Sequence, residues 1–84
     1  QNKDRQIGPD LYELSGRLEL DYLSDKFDLL FDDIHGTETL SGYIIQHHNA
    51  IPNKGETIFV GKYEIEILNV SETRIETVKL RIIS

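Results

Sequence analysis

The side chains best suited to chemistry in this 84-residue sequence lie close together: Asp28, Asp32, Asp33, His35 and Glu38 fall within one short stretch. Hard cations such as Mg²⁺ or Ca²⁺ take several carboxylate or carbonyl oxygens, and an imidazole among them admits Mn²⁺ or Zn²⁺. A divalent cation is therefore the candidate ligand of this stretch. Its spacing is not that of an EF-hand, whose ligands alternate through a longer loop with a closing Glu. The competing and simpler reading is a solvated acidic loop between two helix ends.

His47-His48 is the other polar pair with chemical potential. Neighbours on a helix point about 100° apart, so the two do not readily share one ion. His47 falls on an apolar stripe and is expected as a hydrogen-bonded core histidine, with His48 exposed. Ser, His and Asp are all present, but there is no Gly-x-Ser-x-Gly nucleophile elbow. Cysteine is absent, which removes thiolate metal sites, cysteine nucleophiles and disulfides. Neither a Gly-x-Gly-x-x-Gly turn nor a Walker loop occurs. No catalytic site is expected.

Acidic residues outnumber basic ones 15 to 9, a formal charge of −6. Such a surface repels phosphate backbones, so nucleic acid is not an expected partner. Cations, or a basic surface on another protein, suit it better. No run approaches the roughly 18 apolar residues of a membrane span, and no signal peptide is visible. The chain contains no Met and reads as a segment of a longer protein.

The elements follow from periodicity. Residues 1–10 are polar, end in Gly8-Pro9-Asp10 and read as a linker, with the ordered domain expected over 11–84. Leu11–Leu18 partly alternates, as a half-buried strand does, and Gly16 marks a close approach or a strand exit. Leu20, Leu23, Phe27 and Leu30 make one helical stripe over Glu19–Leu30. Leu40, Ile44, His47 and Ile51, with Tyr43 beside them, make a second, with Thr39 as a candidate cap and Pro52 as its stop. From Gly55 the chain is β: Thr57–Val60, a Gly61-Lys62 turn, Tyr63–Val70 with a register slip that suggests a bulge, and a last strand through Val78, Leu80 and Ile82. The fold class is α+β, with two helices on one face of a small antiparallel sheet, in the order strand, helix, helix, strand, strand, strand. Tyr43, Tyr63, Phe59 and Ile83 are candidates for a partly exposed apolar patch.

Three segments in this order carry a resemblance. They are Ser15-Gly16-Arg17-Leu18 leading into a helix; Thr39-Leu40-Ser41-Gly42-Tyr43-Ile44-Ile45 followed by Ile51-Pro52-Asn53-Lys54-Gly55-Glu56; and Tyr63 to Val70 followed by Arg74-Ile75 and Val78 to Ile82. Together they resemble the transporter-associated domain of the CorC/HlyC type, over roughly Leu11 to Ile83. The resemblance implies a non-catalytic module of membrane-associated proteins linked to magnesium and cobalt efflux, some of them called hemolysins. It also implies a place after a pair of CBS domains, at the cytoplasmic face of the membrane. The expected partners are those CBS domains, the membrane domain of the same chain, or a second copy of the module. A likeness to part of the FAD-binding domains of certain oxidases suggests an adenine-nucleotide or flavin binder by fold analogy alone, a weak warrant, and so small a domain offers little volume for so large a cofactor, so no FAD is expected. Gly16, Gly42, Gly55 and Pro52 carry over as structural residues.

Overall fold

In the computed structural model, which describes residues 3–32 and 38–83, the sheet is laid down by two kinds of strand. The alternating apolar strands face the core: β3 (Thr57–Val60), β4 (Tyr63–Val70) and β5 (Ile75–Ile82) form the expected meander, after β2 (Leu11–Ser15). The other kind is β1 (Asp4–Gly8), a polar strand paired antiparallel with β2. Residues 4–8 were expected as linker and are instead an edge strand. A chain with little to bury still pairs when a neighbouring strand presents free backbone donors and acceptors.

The order across the sheet is β1-β2-β5-β4-β3, antiparallel throughout. The expected bulge is present, as a register shift between Ile67 and Asn69 opposite Val78 and Thr77. Gly61 takes a left-handed φ of 57° in the β3–β4 turn, a conformation glycine adopts without steric cost.

Helices α1 (Leu20–Phe27) and α2 (Leu40–His48) lie between β2 and β3 in sequence. They start side by side, because Leu20 N–H donates to the Glu38 carbonyl at 2.8 Å and Leu40 N–H to the Leu18 carbonyl at 2.9 Å. Thr39 caps α2, accepting from Gly42 N–H. Helix α1 stops three residues earlier than its stripe suggests. Asp28 adopts φ 57°, and its N–H bonds to the Ser24 carbonyl. That turn swings Leu29 fully into the core and leaves Leu30 outside, reversing the expectation for Leu30. Helix α2 likewise ends at a left-handed Asn49 before Pro52 is reached.

The core lies between the helices and one sheet face. Leu14, Leu23, Leu29, Leu40, Ile44, Ile65, Ile67, Ile75, Val78 and Leu80 are fully buried. One contact fixes the helical layer to the central strand. The Ile75 N–H donates to Ser41 Oγ at 2.9 Å in the interior, and Ser41 N–H donates to the Gly16 carbonyl at 2.8 Å. A Cβ on Gly16 would lie 2.0 Å from the Ile75 carbonyl oxygen, so only glycine fits there. The close approach expected at Gly16 is thus with β5.

Candidate functional site

Three of the five expected ligands lie within the described residues. Asp28 is the exposed left-handed residue after α1, Asp32 is exposed, and Glu38 is exposed just before the α2 cap. Asp33 and His35 lie outside the described residues. Among the described residues, no three His, Asp or Glu side chains come together as a metal group.

The histidines exchange roles. His47 is exposed and lies against the Tyr43 ring, with centroids 4.5 Å apart. His48 is half-buried, its Nε2 3.4 Å from a Glu56 carboxylate oxygen. The expected core histidine fails because α2 ends with this pair, at the left-handed cap Asn49, so the apolar stripe never continues past it. Of the four candidates for an exposed patch, Tyr43 and Tyr63 are buried, whereas Phe59 (65 % exposed) and Ile83 are on the surface.

Tyr63 and Tyr43 instead build the wall of a groove. Its open volume is about 370 Å³, between the segment after α1 and the β3–β4 turn. Phe31 packs between the two tyrosines, 5.1 Å edge-on from Tyr43 and 5.2 Å from Tyr63. The Tyr63 hydroxyl clamps the backbone of Leu30 from both sides. It accepts from Leu30 N–H at 2.9 Å and donates to the Leu30 carbonyl at 2.8 Å. Burial raises the Tyr63 phenol above its ordinary value, only partly opposed by the bond from Leu30. Leu30 itself is 63 % exposed on this clamped backbone.

The charge is unevenly distributed. Residues 18–53 hold seven carboxylates against one lysine, a net of −6, while the rest of the chain holds eight against eight. The stretch that contains both helices therefore carries the whole net charge. The opposite sheet face alternates in sign along one row: Glu66 faces Lys79, Lys79 faces Glu13, and Glu13 faces Arg5. The Arg5 guanidinium, bonded to Glu13 at 2.7 Å, lowers that carboxyl below its usual range. Asp4 on β1 is lowered by hydrogen bonds from the Tyr22 hydroxyl and then from Lys26, which tie the edge strand to α1. Glu76 is lowered by the Ser71 hydroxyl and by Arg17.

The groove is not legible in the sequence, because Leu30 falls on a helical stripe and the two tyrosines, candidates for a partly exposed patch, carry no sign of which side they face. The concentration of carboxylates between Leu18 and Asn53 was the readable signal.

The profile of the CorC_HlyC family, described as a transporter associated domain, matches residues 5–84. Solved structures share the fold. A CorC_HlyC transporter associated domain from Nitrosomonas europaea is 24 % identical, with a TM-score of 0.81 over 98 % of both chains. A CorC_HlyC domain from a Xylella fastidiosa Temecula1 hemolysin, in complex with Mg²⁺ and Mn²⁺, is 23 % identical, with a TM-score of 0.74 over 99 % of this chain and 98 % of that one. A hemolysin domain from Enterococcus faecalis V583 is 22 % identical, with a TM-score of 0.77 over 94 % and 95 %. None of the curated proteins compared matches this chain.

Proposed function

Because the chain belongs to the CorC_HlyC transporter associated domain family, we propose that it is a non-catalytic regulatory module of a membrane-associated metal-ion transporter or hemolysin-like protein. The observation that carries this reading is the family match, which spans nearly every residue. In it, the module sits at the cytoplasmic face of the membrane. There it packs against CBS domains and the membrane domain of the same chain and shifts the equilibrium between their arrangements. Such a shift requires that the module contact one arrangement better than the other. Leu30 and Ile83 support the reading, as large apolar side chains exposed on the surface. Among the described residues, no helix is long and apolar enough to cross a membrane.

The test is ion transport by the longer protein with and without this module, in vesicles loaded with Mg²⁺ or Co²⁺. The expected result is a several-fold change in rate or in its dependence on ion concentration, with the membrane domain still inserted. Identical transport overturns the reading.

A second reading is direct cation binding through Asp28, Asp32, Asp33, His35 and Glu38. What favours it is the Xylella relative, solved with Mg²⁺ and Mn²⁺. Thermal melts after chelation, with single cations restored, test it. Binding at a hundred times the dissociation constant adds about 2.7 kcal/mol, a shift of about ten degrees or more here. The shift should vanish in an Asp32→Asn, Asp33→Asn double variant.

A further inference from the structure

We propose that the groove beside Leu30 is the docking surface of this module, and that its occupant is a basic protein segment carrying an apolar side chain flanked by Lys or Arg. The proposal rests on the interdomain reading above and adds which face docks and what chemistry covers it.

Three observations converge on it. First, Leu30 is held outward. A leucine on a mobile loop can fold back, but this one has both backbone polar groups bonded to the hydroxyl of a buried tyrosine. Its side chain is presented to water at a fixed position, the arrangement that costs least to order on binding. Second, the groove beside it is walled by Phe31 and Tyr43, aromatic surface of the kind that forms the centre of protein interfaces. Third, the surroundings are negative. Asp28 and Asp32 flank Leu30 in sequence, both exposed and neither in an ion pair among the described residues. In sequence, residues 18–53, to which they belong, hold the entire −6 of the chain.

The charge decides between occupants. A second copy meeting this face would set −6 against −6, and an anionic lipid surface would be repelled in the same way. A cationic segment is attracted from a distance and held at short range by apolar burial. Among the described residues, Lys62 is the one cation of the groove lining, and it lies at the β3–β4 turn. The basic residues of the occupant therefore belong at the Asp28–Asp32 end.

The probe is a fluorescein-labelled peptide of Lys and Leu in amphipathic helical spacing, with a Glu-for-Lys counterpart as control. Each is titrated by anisotropy against the chain, its Leu30→Ser variant and a Phe59→Ser variant altered on the other sheet face. We expect the basic peptide to bind with an affinity that falls as salt rises, and the acidic one not to bind. Leu30→Ser should weaken binding about tenfold or more, the ratio expected when one leucine side chain stays in water. Phe59→Ser should bind as the parent does. Equal affinity of the Leu30→Ser and parent chains, or a loss confined to Phe59→Ser, overturns the proposal. Both substitutions are at exposed positions, and unchanged melting of each variant confirms that the fold is kept. In the longer protein the two readings separate. If deleting the module changes transport and Leu30→Ser does not, the groove proposal falls and the regulatory reading stands. If neither changes transport, both fall.

Discussion

Replacing Tyr63 with Phe removes one oxygen and two hydrogen bonds, and the structure allows the cost to be worked through. The ring stays in place against Phe31, so the packing is kept and only the clamp on Leu30 is lost. A hydrogen bond contributes about 0.5–1.5 kcal/mol net. The Leu30 backbone lies near solvent and can rehydrate, which discounts the pair to about 1–2 kcal/mol. For a domain of this size that lowers the melting temperature by about 5–15 °C. Urea unfolding measures the energy, and amide hydrogen exchange at Leu30 reports the clamp directly. A second signature comes from alkali. The folded phenol titrates above its ordinary value of 10.0, so the unfolded chain loses its proton first. Stability from this group is complete below the unfolded value and is lost as pH rises through the folded one. Tyr63→Phe should therefore be less alkali-sensitive than the parent. An unchanged unfolding midpoint, with Leu30 exchanging as fast in the parent as in the variant, would refute the clamp.

Gly16→Ala should destabilise by about 3 kcal/mol or more, because the new methyl meets backbone atoms of Ile75 and not a movable side chain; an equilibrium urea curve measures it. Ser41→Ala should cost about 1–3 kcal/mol, since the buried Ile75 N–H loses its acceptor, and exchange at that amide should accelerate. On the acid side, Asp4, Glu13 and Glu76 titrate below their ordinary values of 3.8, 4.5 and 4.5 when folded. Their contribution is complete above those values and is lost as pH falls through the lower folded ones. Acid melts of the parent and of Arg5→Gln, which removes the leading cause of the Glu13 shift and leaves Lys3 and Lys79 beside it, should show the variant with less to lose.

The β3–β4–β5 meander was legible because its signals are local: strict alternation from Tyr63 to Ile67, a Gly-Lys turn, and a slip that became the bulge. The Thr39 cap was legible for the same reason. What escaped depends on partners distant in sequence. Strand β1 has no apolar face to betray it, and its identity comes from β2 alongside and from α1 through Asp4. The ends of both helices were overextended because periodicity continues on paper past a residue that has turned left-handed. Asp28 and Asn49 carry that information only in their φ angles. The misplacement of Leu30 and His47 follows from those two residues. Most of the groove was hidden with Leu30, while three of the five ligand candidates could be placed and two lie outside the described residues.

The position of β5 has a consequence for how the domain comes into being. It is the last strand to be made and the middle strand of the sheet, with β2 on one side and β4 on the other. Leu14 meets Val78 only after everything between them has been synthesised. A nascent chain lacking its final strand holds two hairpins with no common sheet, and Ser41 without the Ile75 amide that anchors it. The ribosome must release β5 before the two hairpins can join in one sheet. Folding is thus dominated by long-range pairing, and without β5 the two hairpins have no strand to join them.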